Sequence, residues 1–170
     1  MIVLVLGGTR SGKSEIAERI AAGLGEPVTF VATAAITDPG MAARVEAHRA
    51  RRPSTWATIE CSDDLPEVVA GTDGTVLVDS LGTWVARAPA MRVDASGLVD
   101  ALTGRGASTV VVSEEVGLAV HAPTEAGRQF TDALGDLNAA VAAVADRALL
   151  VVAGRAVALA PVDDVFPKDG

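Results

Sequence analysis

Apolar positions along this chain fall into two rhythms that take turns. Residues 2–6 (IVLVL) are an unbroken apolar run closed by glycine, the pattern of a strand buried on both faces. Residues 14–24 carry Ile16, Ile20 and Leu24 at helical spacing, with Gly25 as the stop. Residues 27–33 read as a second strand. Residues 38–52 read as a helix capped by Asp38 with Pro39 at its first position. A short strand follows at 56–60, and the run 75–79 (TVLVD) is a buried strand ending in a carboxylate. Residues 87–95 predict a loop, 96–104 a helix and 108–113 a buried strand. Phe130, Leu134, Leu137, Val141 and Val144 predict a long amphipathic helix over 124–145. Two last strands, 148–153 and 156–160, flank a Gly154-Arg155 turn, and 161–170 is expected to be a polar tail.

Strands that alternate with helices require crossovers, which implies an α/β fold with a mostly parallel sheet. The closely spaced final pair predicts a hairpin that adds an antiparallel edge. At 170 residues the chain is expected to hold one domain, over 1–160. A chain of this size buries about 70% of its unfolded surface and needs no disulfide or structural metal to fold.

Charge and composition narrow the function. The net charge of −8 argues against a nucleic-acid partner. No apolar run is long enough to cross a bilayer, and the N-terminus lacks a basic leader, so neither membrane insertion nor a signal peptide is expected. One cysteine, Cys61, has no internal partner, which points to the cytoplasm. It reads as an ordinary small apolar residue. Alanine occurs 32 times and carries no chemistry. The 14 basic residues include only two lysines, Lys13 and Lys168, so a lysine inside a glycine loop is informative.

Gly7-Gly8-Thr9-Arg10-Ser11-Gly12-Lys13-Ser14 fits G-x-x-x-x-G-K-[ST]. Backbone N–H groups must turn inward around a triphosphate, which calls for glycine conformations. The lysine reaches the β- and γ-phosphates, the serine hydroxyl binds Mg²⁺, and the next helix offers its positive end. Chance would produce such a match in a chain of this length less than about 1% of the time. The motif also follows a strand and opens a helix. Asp79, at the end of the 75–79 strand, either helps hold Mg²⁺ with Ser14 or caps a helix over 80–86. These residues specify a nucleotide site without naming a substrate.

His48 lies on the predicted helix 38–52, where Arg44, His48, Arg51 and Arg52 are neighbours at helical spacing. Nearby positive charge favours the neutral imidazole. A neutral histidine beside a bound triphosphate can attack phosphorus. The same residues also fit a solvated basic helix face. His121, before Ala122-Pro123-Thr124, reads as an incidental loop residue.

Three stretches together resemble one family: the glycine loop, residues 31–60 with R-x-x-x-H-R-x-x-R-P and W-x-T-x-E, and VVVSEEVG at 110–117. The family is the bifunctional adenosylcobinamide kinase / adenosylcobinamide-phosphate guanylyltransferases of cobalamin biosynthesis. The resemblance spans 1–160. It implies a RecA-like P-loop fold and a homotrimer. It also implies two reactions. A corrinoid hydroxyl is phosphorylated by ATP or GTP, and GMP is then moved from GTP to that phosphate through a GMP–histidine intermediate, with pyrophosphate released. By motif match the histidine is His48. Residues 7–14, Thr33, Ala34, Ala35, Arg49, Ala50, Arg51, Arg52, Glu60 and Asp79 are implied to line the nucleotide site.

The chain departs from the pattern where many relatives read V-S-N-E-V-G. Here Glu114 replaces the asparagine. It departs again at Ala119-Val120-His121-Ala122-Pro123, where relatives often read G-I-V-P, and in the short segment between Asp79 and residue 108. These changes are expected at the corrinoid site or a subunit contact, away from the nucleotide site. No general base for the kinase alcohol stands out. Two other readings fit the phosphate loop alone: a single-activity P-loop kinase for another small metabolite, and a non-catalytic nucleotide switch. The first leaves the 44–60 pattern unexplained, and the second lacks an N-K-x-D guanine motif.

Overall fold

The computed structural model describes residues 1–34, 52–118, 120 and 122–166. Its elements run β1 (Ile2–Gly7), α1 (Lys13–Gly23), β2 (Val28–Ala32), β3 (Ala57–Glu60), α2 (Leu65–Gly71), β4 (Thr75–Asp79) and α3 (Leu81–Arg87). They continue with α4 (Ala95–Gly104), β5 (Thr109–Glu114), α5 (Glu125–Val144), β6 (Arg147–Val152), β7 (Arg155–Leu159) and the one-turn α6 (Val162–Val165). The helix expected over 38–52 lies outside the described residues up to 51.

The strands form a seven-stranded sheet in the order β3-β2-β4-β5-β1-β6-β7. Every neighbouring pair is parallel except the β6–β7 hairpin. The predicted α/β architecture with an antiparallel edge is therefore the observed one. Alternation along each central strand feeds both faces. Val3 and Val5 pack with Ala17 and Ala21 of α1, Phe30, Trp56 and Leu77. Ile2, Leu4, Val76, Val78 and Val111 pack on the other face with Leu81, Trp84, Leu98, Leu134, Leu137 and Val141. Each such aliphatic side chain contributes roughly 1.5–3 kcal/mol when fully buried.

Local chemistry sets the helix ends. The Ser80 side chain accepts from the Thr83 amide in a capping box, so Ser80 starts α3 and Asp79 does not cap it. Asp94 caps α4 through the Gly97 amide at 2.9 Å, and Thr124 caps α5 through the Gly127 amide at 3.1 Å. Arg105 ties the amino ends of β4 and β5 together, donating to the carbonyls of Thr72 (2.6 Å) and Gly74 (2.8 Å) and to Thr109 Oγ1 (2.6 Å).

Three local readings need correction. Helix α2 was not expected. It spans only seven residues, too few to show a helical period, although Asp64 before it and Pro66 in its first turn are start signals. The hairpin turn is Ala153-Gly154, one residue earlier than expected. Both residues have positive φ (50° and 73°), as a two-residue hairpin turn requires. The tail is not uniformly polar: it forms α6 and exposes Val162, Val165 and Phe166.

Parallel pairing ends the central strands at one edge. Gly7 is opposite Glu114 and Val151, while Asp79 is opposite Val112 and Ala32. Ala32 is in turn opposite Glu60. Chemistry-bearing residues thus share the carboxyl edge, where open α/β sheets form their binding crevice.

Candidate active site

The loop after β1 is shaped by contacts that only small residues permit. A Cβ on Gly7 would lie 2.5 Å from Ser11 Oγ and 2.8 Å from the Val151 carbonyl. Gly12 holds φ +95°, a conformation L side chains rarely adopt. The Ser11 amide donates to the Gly8 carbonyl (3.2 Å), and the Lys13 amide to Ser11 Oγ (3.3 Å). No side chain caps α1, which suits a helix N-terminus that receives an anion. The β6–β7 hairpin props the loop from behind. The Gly154 amide donates to the Ser11 carbonyl at 2.7 Å, and a Cβ on Gly12 would sit 3.2 Å from Gly154 Cα.

Lys13 and Ser14 face carboxylates on neighbouring strands. Lys13 Nζ lies 3.4 Å from the Gly8 carbonyl and 3.4 Å from Glu114 Oε1. The Glu114 carboxylate also accepts from Ser80 Oγ at 3.1 and 3.0 Å. It occupies space beside Gly82 that a Cβ there would fill. Its main-chain carbonyl accepts from Asn138 Nδ2 at 3.0 Å. The position of Glu114 corrects an expectation, because the departure from the family pattern sits directly on the phosphate-loop lysine. The pairing joins residues far apart in sequence, and nothing in the local pattern signals it.

Asp79 is half-buried at the end of β4 and accepts a hydrogen bond from the Ser14 side chain. Burial pushes its pKa up to about 6. The Ser14 bond opposes that rise, repulsion from Glu114 adds to it, and Lys13 and Arg52 oppose it. The oxygens of Ser14 and Asp79 are hard donors of the kind Mg²⁺ prefers, and a carboxylate destabilised by desolvation fits a cation. These two residues could hold the metal.

The remaining expected residues divide. Thr33 is fully buried. Its hydroxyl donates to the Ser80 carbonyl at 2.6 Å and accepts from the Ser80 amide at 3.0 Å, which ties the end of β2 to the start of α3. Arg87 donates to the Thr33 carbonyl at 2.8 Å and the Cys61 carbonyl at 3.2 Å. Ala34 follows at the same edge, half-buried, and Glu60 is exposed at the end of the outer strand β3. Arg52 stacks over Phe30, 3.5 Å from the ring centroid, with Nε 3.7 Å from Glu18 Oε1. Ala35, His48, Arg49, Ala50 and Arg51 lie outside the described residues, as does His121. Cys61 is buried, and its thiol pKa is pushed up to about 12, mainly by burial, so it is no nucleophile at neutral pH.

The Asp79 environment makes a testable claim about stability. Its folded pKa near 6 exceeds the ordinary value of 3.8, so the native state holds this proton more tightly than the unfolded chain does. Stability contributed by this group therefore falls as pH rises from 3.8 to about 6. In metal-free buffer, Asp79→Asn should melt roughly 5–10 °C above wild type at about pH 7.5. That gap should close toward pH 4. A gap independent of pH in thermal-denaturation curves would refute it.

Comparison with known proteins gives the fold and the chemistry a context. The backbone resembles the flagellar accessory protein FlaH of Methanocaldococcus jannaschii, with TM-score 0.51 and 14% identity over 91% of this chain and 74% of that one. It also resembles an ATPase of the type III secretion system of pathogenic bacteria, with TM-score 0.51 and 14% identity over 98% of this chain and 54% of that one. At this identity the likeness shows the fold, which is RecA-like with a phosphate loop. The chain is 37% identical to the bifunctional adenosylcobalamin biosynthesis protein CobP of Pseudomonas aeruginosa, over 89% of this chain and 92% of that one. It is 33% identical to CobU of Escherichia coli, which carries the same description, over 91% and 97%. The family model described as cobinamide kinase / cobinamide phosphate guanyltransferase matches residues 3–159, and with a phosphate loop, its lysine and a Ser14–Asp79 pair in place, the chain belongs to that family.

Proposed function

We propose that a single nucleotide site on the carboxyl edge of the sheet serves both reactions of the family. The substrates are adenosylcobinamide and its phosphate, with ATP or GTP as phosphoryl donor and GTP as GMP donor. The observation that carries this reading is the joining of three strands at one place. Lys13, Ser14 and the Gly7–Ser14 loop follow β1, while Asp79 ends β4 and Glu114 ends β5. Residues 7–14 cradle the phosphates, and Lys13 neutralises charge on the β- and γ-phosphates. Ser14 and Asp79 hold Mg²⁺, which when bound offsets phosphate charge.

His48 carries the nucleotide in the second reaction. Its imidazole attacks the α-phosphorus of GTP, a P–N bond forms, and pyrophosphate leaves with the electron pair. The phosphate of the corrinoid then displaces His48. Two displacements through a covalent state replace one harder direct transfer. Arg52 supports the reach. Its charge acts on Asp79, and His48 precedes it by four residues, at most about 14 Å of extended chain. Thr33, Ala34, Ala35, Arg49, Ala50, Arg51, Arg52 and Glu60 complete the nucleotide surroundings. For Thr33 and Arg52 the support is indirect, because their observed contacts hold the walls of the site.

The reading extends to assembly and location. A single catalytic domain over 1–160 forms a cytoplasmic homo-oligomer, a trimer by family resemblance. Every residue of β7 is exposed, and Val152, Val157, Leu159 and Phe166 present apolar surface along that side. Among the described residues no helix is long and apolar enough to cross a membrane.

Two measurements test these statements. His48→Asn should abolish GMP transfer, by at least about a hundredfold, while kinase turnover persists, and Lys13→Ala should weaken both. Loss of both activities in a folded, nucleotide-binding His48→Asn protein, or retention of both in Lys13→Ala, would overturn the shared-site reading. Light scattering on the purified protein should give a multiple of the 17.2 kDa chain mass. Val157→Asp with Leu159→Asp should reduce that to the monomer. A wild-type monomer would refute the assembly.

A further inference from the structure

The kinase half of the reaction needs something to receive the proton of the attacking hydroxyl, and the phosphate loop supplies only cations and amides. Two carboxylates face the loop. Asp79 is engaged by Ser14, the residue expected to hold the metal, which puts it on the metal side. Glu114 is engaged instead by Ser80 and by the lysine. Its side chain is 29% exposed, and among the described residues it alone forms an ion pair with Lys13, at 3.4 Å.

Lys13 marks where the terminal phosphoryl group must lie, because a phosphate-loop lysine holds the β- and γ-phosphates. A carboxylate 3.4 Å from that ammonium is therefore adjacent to the phosphoryl group in transfer. Left facing phosphate oxygens, it would repel them. A hydroxyl placed between the two resolves the conflict. It donates its hydrogen to the carboxylate and presents its lone pair to phosphorus. Glu114 is also held from behind, as a base requires. Ser80 Oγ lies 3.1 and 3.0 Å from its two oxygens, Asn138 fixes its carbonyl, and Gly82 leaves room for the head group. The chain then continues to exposed apolar side chains at Leu118 and Val120.

We propose that Glu114 is a catalytic residue of the kinase step that accepts the proton of the acceptor hydroxyl during transfer of the γ-phosphoryl group. In this structure it pairs with Lys13. When the nucleotide draws Lys13 to its phosphates, Oε1 is released to the hydroxyl. The oxygen–phosphorus bond forms as the bond from phosphorus to the bridging oxygen breaks. The electron pair stays on the departing diphosphate, and the proton passes to Glu114 and then to solvent. In GMP transfer the attacking group is a phosphate that is already anionic, so no base is needed. The proposal rests on the kinase reading above.

The test compares both activities in Glu114→Gln and Glu114→Ala, with nucleotide binding as the check on folding. Kinase kcat with adenosylcobinamide should fall at least tenfold in each. GMP transfer to supplied adenosylcobinamide phosphate should fall by a clearly smaller factor than the kinase kcat, and added formate should restore part of the kinase rate of Glu114→Ala. Kinase turnover within about threefold of wild type in Glu114→Gln would overturn the proposal. Parallel loss of both activities without formate rescue would also overturn it, and would leave Glu114 a structural partner of Lys13. Wild-type protein that transfers GMP but never phosphorylates the alcohol would remove the underlying reading instead, and the proposal with it.

Discussion

One ammonium group set among carboxylates organises the functional edge of this protein. Lys13 leaves the first turn of α1 and meets Glu114 from β5, and its charge reaches Asp79 at the end of β4. None of these groups is near another in sequence. They meet because β4, β5 and β1 lie side by side, parallel and in register, and so end together. Nucleotide binding brings more negative charge to the same spot. Lys13 and Arg52 face the two acids here, so added phosphate charge calls for a further cation beside Asp79.

The rest of the fold serves to keep this edge still. The loop cannot shift without breaking the Gly154–Ser11 bond or pressing Gly12 into Gly154, so the antiparallel hairpin is a strut as well as an edge. The α3 start is fixed by Ser80, Thr33 and Thr83, and Ser80 also orients Glu114. Arg87 binds the carbonyls at the ends of β2 and β3 to the same helix.

Much of this was legible in the sequence because it rests on short-range rules. Buried runs such as IVLVL and TVLVD, the stop at Gly25 and the spacing from Phe130 to Val144 each specify an element locally. The phosphate loop is legible because its chemistry demands particular residues at fixed spacing. What escaped was whatever depends on contact across the fold. The Glu114–Lys13 pair spans most of the chain. Arg52 looked like one of a row of exposed cations, yet Phe30 and Glu18 enclose it. Asp79 was one reading of the cap, and only the geometry of the α3 start gives that role to Ser80. Helix α2 was missed because seven residues hold less than two full periods.

The central claim is that one phosphate-loop site hands its nucleotide to His48. Intact-protein mass spectrometry after incubation with GTP and Mg²⁺, beside a His48→Asn control, tests it most directly. A gain of one GMP, labile in acid, stable in base and absent from the control, is the predicted result. A folded, GTP-binding protein that gains no mass would contradict it and leave a kinase without a covalent nucleotide state.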